Sequence, residues 1–182
     1  ALREVNSAEI FLFITYLGNW HIIISLGIII LLILWFLGER RKAVYLFSAV
    51  LASEVLYSIF KIAIRLPRPD IGFSLIPQAG YAFPSGHAAV PVVFYGMIAF
   101  FLRRSFRKRR HRLLTAFVAT ALIFFIGYSR IYLGLHWASD VLAGWALGLA
   151  ILVFARSLFK AREKLLPEHK KPIVLSRVYM AS

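Results

Sequence analysis

Five apolar runs divide the chain, each separated from the next by a short stretch rich in basic residues, glycine or proline. They predict helices near Trp20–Leu37, Ala43–Lys61, Ala88–Leu102, Leu113–Arg130 and Ala138–Phe159. A helix needs about 20 residues to cross a bilayer, and all five approach or reach that length. The third is short by its apolar count, but its helix can begin at Ser85. Residues Ser7–Asn19 are apolar and aromatic yet too short to span. They read as an interfacial helix that ends in a turn at Gly18-Asn19. The expected fold is all-α: a polytopic membrane helical bundle of five transmembrane helices with an N-terminal interfacial helix. It divides into an interfacial segment (1–19), a membrane domain (20–160) and a basic cytoplasmic tail (161–182). That tail holds Pro167 and Pro172 and is expected to be mobile.

Composition agrees with the pattern. Hydrophobic residues make up 60% of the 182 and charged residues 16%. A soluble domain carries about 25% charged residues. The net charge of +14 does not point to nucleic acid, because the basic residues lie in short runs between apolar stretches. There is no cysteine, which excludes disulfides, thiolate metal sites and a cysteine nucleophile.

The same basic runs orient the bundle. Alternating helices put Arg40, Arg41 and Lys42, the seven cations of Arg103–Arg112, and seven more from Arg156 to Arg177 on one side. These are seventeen of the 22 Lys and Arg residues; Arg3, Lys61, Arg65, Arg68 and Arg130 fall on the other. The positive-inside rule makes the first side cytoplasmic. Anionic lipid binding is a secondary expectation for the Arg103–Arg112 run. The N-terminus is then outside, and nothing in Ala1–Asn19 would carry it there. The chain is therefore expected to be the C-terminal part of a longer polytopic protein, with an upstream or fused membrane segment.

The sparsely basic side gathers the chemistry. Helix two ends there with Lys61 and runs into Arg65-Leu66-Pro67-Arg68-Pro69. Helix three starts there after Pro84-Ser85-Gly86-His87. Helix four ends with Ser129-Arg130, and helix five begins near His136 with Asp140 one turn on. Taken singly, each has a plain reading: a histidine at a membrane interface is more often structural, and a terminal cation snorkels. Together they form a costly polar cluster at a membrane face, which points to function. Three cations suit a phosphate and its transition state. The helix start at Ser85-Gly86 offers N–H groups to an anion. On one helix face, Asp140 would fix the tautomer of His136 and leave its other nitrogen as nucleophile, with His87 as general acid.

Lys61-x6-Arg68-Pro69, Pro84-Ser85-Gly86-His87 and Ser129-Arg130-x5-His136-x3-Asp140 resemble the three-part signature of the type 2 phosphatidic acid phosphatases. That family shares its site with the vanadium haloperoxidases and bacterial acid phosphatases. The resemblance implies a lipid phosphatase working through a phosphohistidine on His136, oriented by Asp140, with His87 as acid. It implies phosphate contacts from Lys61, Arg68, Ser85, Gly86 and Arg130, with Pro69, Pro84 and Ser129 supporting. The residues themselves offer no carboxylate cluster for magnesium and no third histidine for zinc, so neither metal nor other cofactor is expected. The layout is similar to bacterial inner-membrane members that act on polyprenyl diphosphates such as undecaprenyl diphosphate, on phosphatidylglycerophosphate or on phosphatidic acid; lipid A phosphates remain open. The partners expected are a lipid phosphate and the surrounding membrane lipids, not nucleic acid. A lipid transporter that binds phosphate without cleaving it is the alternative, but it would not need His136 held by Asp140. A haloperoxidase has no need of a multi-spanning scaffold.

Among the remaining polar residues, Glu54 is expected to be structural. Arg65 could contact a second phosphate, and Asp70 could cap its loop. His21, His111 and His169 stand apart from the cluster. Trp20 and Trp35 suit interface belts, and Trp137 the site entrance.

Overall fold

The structure, a computed structural model, describes residues 2–69 and 80–165. Asp70, His169 and the rest of the tail beyond Leu165 lie outside the described residues, as does the side chain of Arg3. Six helices follow in chain order: α1 (Leu2–Tyr16), α2 (Trp20–Phe36), α3 (Arg40–Ile64), α4 (Gly86–Ser105), α5 (Arg109–Tyr132) and α6 (Ala138–Lys164). The described residues contain no strand.

Helices α3 to α6 are each long and apolar enough to cross a membrane. Alone, α2 reaches only about 25 Å, less than the roughly 30 Å hydrocarbon core. Counted with Ala8–Tyr16 of α1, from which it bends by 44°, it makes a fifth span. The bend sits at the expected Gly18-Asn19 turn, and the Asn19 carboxamide caps α2 by accepting from the His21 N–H. The segment expected to lie at the interface instead counts toward this bent span. It packs along the last turns of α5, with the Phe11 ring 4.1 Å from that of Tyr132.

Most helices run several residues past the apolar stretches. The α3 helix starts at Arg40 and continues through Lys61 to Ile64, and α6 continues to Lys164. Basic side chains cover apolar surface with their stems and keep their charge at the edge, so they prolong a membrane helix rather than end it.

The centre of the bundle is α4, buried from Ala88 to Phe94 and packed on α3, α5 and α6. Its tightest seam is with α6. A Cβ at Gly144 would lie 2.5 Å from the Ser85 carbonyl oxygen, and one at Gly148 would lie 2.5 Å from that of Ala89. The Gly144-x3-Gly148 spacing is what lets two helix backbones approach closely inside a membrane. The outer flanks of α2, α3 and α5 expose Ile28, Leu32, Phe47, Leu51, Phe117 and Val118, as a lipid-facing surface does.

Candidate active site

Local backbone geometry brings the three motifs to one end of the bundle. Helix α3 stops at Arg65, which adopts φ 54 and returns its N–H to the Lys61 carbonyl. The chain then passes Leu66-Pro67-Arg68-Pro69 without helix, because each proline disfavours helix at the residue before it. The Arg65 guanidinium turns back onto the Ile62 carbonyl at 3.0 Å. In this structure Arg65 therefore closes its own helix.

Helix α5 closes differently. Gly134 takes φ 69, and the N–H groups of Leu135 and His136 both return to the Arg130 carbonyl, at 3.0 and 3.2 Å. Glycine adopts this left-handed turn at little cost. The turn accounts for the spacing Arg130-x5-His136: it folds the histidine back beside the arginine. Helix α6 begins at once. Asp140, in its first turn, accepts from the Trp137 backbone N–H at 2.9 Å, the return half of a capping box.

The same carboxylate oxygen, Oδ2 of Asp140, faces Nδ1 of His136 at 3.3 Å. On its other side, Nε2 of His136 meets Nη1 of Arg68 at 3.2 Å. A guanidinium can only donate, and an ionised carboxylate can only accept. The imidazole therefore carries its proton on Nδ1 and presents a lone pair at Nε2. Burial pushes its pKa down to about 2, helped by the nearby cations Arg130, Arg68 and Lys61 and by His87. The Asp140 contact is thus a hydrogen bond to a neutral ring rather than an ion pair. His136 is 4% exposed and Asp140 0%.

Around this pair, Lys61 Nζ donates to the Tyr81 carbonyl at 2.9 Å, with the Tyr57 ring centre 5.7 Å away. Arg68 also donates to the carbonyls of Gly80 and Leu135. Ser85 is the N-cap residue of α4, and its N–H donates to the Asp140 carbonyl at 3.0 Å, joining two motifs. Its hydroxyl is buried with no partner among the described residues. The Gly86 and His87 N–H groups open the helix, where no intrahelical acceptor exists. Space beside Gly86 is filled by the Tyr57 ring, 2.9 Å from where a Cβ would stand. Pro84 is buried after a cis peptide, and Pro69 follows Arg68 half-buried. Ser129 turns its hydroxyl back onto the Ile126 carbonyl at 2.6 Å.

Arg130 is 1% exposed, and its Nη1 donates to Thr15 Oγ1 at 2.9 Å. Thr15, and Gly18 beside the His87 ring, enter the site from the α1–α2 bend. Together with Tyr57 and Gly144 they are the site residues that sequence reasoning missed. Only Gly144 left a usable signal, the Gly144-x3-Gly148 spacing. Glu54 lies beside Tyr57 and lines an apolar cavity of about 250 Å³ between α2, α3 and α4. His21 and His111 lie away from the cluster, His21 on Asn19 and His111 on the Phe106 ring. No group of three or more potential metal ligands occurs among the described residues.

Residues 42–164 match the model of the PAP2 superfamily. The chain belongs to that superfamily. It is 28% identical over 156 residues to phosphatidylglycerophosphatase B of Bacillus subtilis, covering 85% of this chain and 76% of that protein. It is 35% identical over 151 residues to a lipid A 1-phosphatase of Rhizobium etli, covering 70% of this chain and 61% of that protein. The crystal structure of the transmembrane PAP2-type phosphatidylglycerolphosphate phosphatase from Bacillus subtilis superposes with a TM-score of 0.80 at 27% identity, over 88% of this chain and 79% of that one. This PAP2 protein is an integral membrane phosphatase.

Proposed function

We propose that this PAP2 phosphatase hydrolyses a lipid phosphate through a covalent phosphohistidine on His136. The observation that carries the reading is the placement of His136 between Asp140 Oδ2, 3.3 Å from Nδ1, and Arg68 Nη1, 3.2 Å from Nε2, which favours Nδ1–H toward the carboxylate and the Nε2 lone pair toward the cation cluster. In the first step Nε2 attacks phosphorus, an N–P bond forms, and the bond from phosphorus to the lipid oxygen breaks. His87 gives that oxygen its proton. Water, deprotonated by His87, then cleaves the N–P bond and releases inorganic phosphate. Lys61, Arg68, Arg130 and the first N–H groups of α4 hold the oxygens on which charge develops. Arg68 exchanges its contact with Nε2 for a phosphate oxygen as substrate arrives. Side-chain cations fill the place that a metal takes in other phosphatases.

The favoured substrate is a glycerophospholipid phosphate monoester, phosphatidylglycerophosphate first. This rests on the likeness to the Bacillus subtilis protein across most of the chain. The deciding experiment measures phosphate release in detergent from phosphatidylglycerophosphate, phosphatidic acid, lipid A phosphate and undecaprenyl diphosphate. After quenching in alkaline detergent, an alkali-stable, acid-labile phosphoenzyme from labelled substrate is expected in the intact protein and absent from His136→Ala. Binding without release for every lipid would favour a transporter instead.

We further infer that the site faces away from the cytoplasm, since the described cations at Arg40–Lys42 and Arg103–Arg112 lie at the opposite helix ends. Cysteine at Tyr81 should react with an impermeant thiol reagent in intact cells and cysteine at Ser105 should not. The reverse labelling overturns this orientation.

A further inference from the structure

A second built cavity lies at the other end of the same helices that carry His87, Arg130 and Asp140. This cleft, about 640 Å³, opens between α4, α5 and α6 and shares no residue with the site described above. Arg103, Arg104, Arg112, Arg156 and Lys160 line its outer part. Only Arg104 among these five has a carboxylate partner within the described residues, Glu163. Three of the cations crowd over one ring: Arg156, Arg104 and Lys160 stand 5.1, 5.5 and 5.9 Å from the centre of Phe100. Like charges so gathered repel one another, and an anion between them relieves the repulsion.

The inner part of the cleft is apolar. On α6, Trp145, Leu149, Leu152, Arg156 and Lys160 line it, and these positions share one helix face. At 1.5 Å per residue this stripe extends about 22 Å from Lys160 to Trp145, longer than the roughly 15 Å of one leaflet's hydrocarbon. Trp145 stacks on Phe124, ring centres 5.7 Å apart, and closes the deep end. Leu149 is 52% exposed, so the cleft is open toward lipid. A soluble anion would use the rim and leave this long apolar wall bare. A phospholipid fills both.

We propose that the cleft binds an anionic phospholipid of the adjoining leaflet, with its phosphate among Arg103, Arg112, Arg156 and Lys160 and an acyl chain along Leu152 and Leu149 toward Trp145. The bound lipid wedges α5 against α6 and so braces, from the far side, the two helices that present Arg130 and Asp140.

The test uses the full chain in an uncharged detergent, with lipid retention read by native mass spectrometry and thermal stability measured in parallel. Dioleoyl phosphatidylglycerol should be retained and should raise Tm, and dioleoyl phosphatidylcholine should do neither. The double variant Arg156→Ala/Lys160→Ala should retain at least tenfold less phosphatidylglycerol. Arg109→Ala/Arg110→Ala, which removes cations outside the cleft, should retain it normally, as should His136→Ala. Should the double alanine variant fail to fold, Ala119→Phe fills the apolar part without touching charge and should lose retention alone. Equal retention of phosphatidylcholine, equal loss from the Arg109/Arg110 variant, displacement of the lipid by inorganic phosphate, or normal retention in Ala119→Phe would each overturn the proposal.

Discussion

Thr15 Oγ1 accepts a hydrogen bond of 2.9 Å from Arg130, 115 positions further along the chain. Both side chains are buried, and the bond ties the first helix to the site that α3 to α6 build. A guanidinium held this way points in one direction before substrate arrives. Thr15→Val keeps the shape and removes the acceptor, which costs on the order of 1–3 kcal/mol for a bond to a charged group. The expected outcome is a roughly tenfold or greater loss of kcat/KM with the protein still folded, and recovery in Thr15→Ser. Kinetics on a lipid phosphate in detergent measure it; unchanged kcat/KM in Thr15→Val would remove α1 from the site.

His136 and Asp140 should behave unequally when changed. His136→Ala removes the proposed nucleophile and should leave no turnover above background. Asp140→Asn leaves the imidazole but no longer enforces Nδ1–H. In the serine-protease triad the comparable change costs about 10⁴ in kcat, which sets the scale expected here. Phosphoenzyme should still form in Asp140→Asn, slowly, in a single-turnover quench. A faster Asp140→Asn enzyme would show that the carboxylate does not orient the ring.

The pH profile follows from the neutral ring. The folded pKa of His136 is pushed down to about 2 from an ordinary value of about 6.5, by burial first and then by the cations. A depressed pKa keeps Nε2 free of its proton as pH falls through 6.5. No acid limb from His136 should therefore appear near pH 6.5 in kcat/KM. Replacing Arg68 by Gln removes one of the depressing charges, so the pKa rises and an acid limb should move to higher pH. A profile in which Arg68→Gln shifts that limb to lower pH would contradict the assignment. The same linkage makes the fold lose stability as pH drops below 6.5, because the unfolded chain takes up a proton that the folded one refuses.

Some of this was legible in the sequence, for physical reasons. Arg130 and His136 could be placed together because a helix end and a following helix start fix short spacings, and Gly134 makes the intervening turn. Lys61, Ser85 and Asp140 could be placed on one face by alternation of spans. Thr15, Gly18 and Tyr57 could not. In a membrane the lipid-facing and core-facing positions are both apolar, so periodicity does not reveal which face of α1 or α3 turns inward. Phe47, about half exposed, and the buried Leu46 stand side by side in the same kind of run. Contacts such as Thr15 with Arg130 depend on helix rotation, which hydropathy leaves undetermined. The apolar pattern understates the ends of α3 and α6, because charged residues bound each run while their stems still lie on the bundle.

Chelation should not impair the enzyme. Among the described residues the site gathers three cations, two histidines and one carboxylate, a donor set suited to an anion rather than to magnesium or zinc. Activity is expected to persist after EDTA treatment and dialysis. Loss of activity that magnesium or zinc restores would refute the reading in which Lys61, Arg68 and Arg130 carry the electrostatic work.

Gly144 tests how closely α6 must approach the start of α4. A Cβ there would stand 2.5 Å from the Ser85 carbonyl oxygen and 2.8 Å from the Ala88 Cβ, both on rigid helix. Neither neighbour is the tip of a flexible chain, so the two helices must part. Overpacking of this kind typically costs about 1–3 kcal/mol. The damage should not be confined to stability. The Ser85 N–H donates to the Asp140 carbonyl at 3.0 Å, so parting α4 from α6 separates the helix start proposed to bind phosphate from the carboxylate proposed to orient His136. Gly144→Ala should therefore lower kcat more than a comparably destabilising change deeper in the same seam, such as Gly148→Ala. Measuring kcat for both at a temperature where each is fully folded separates the two effects. Equal kcat in the two variants would mean that the seam serves stability alone.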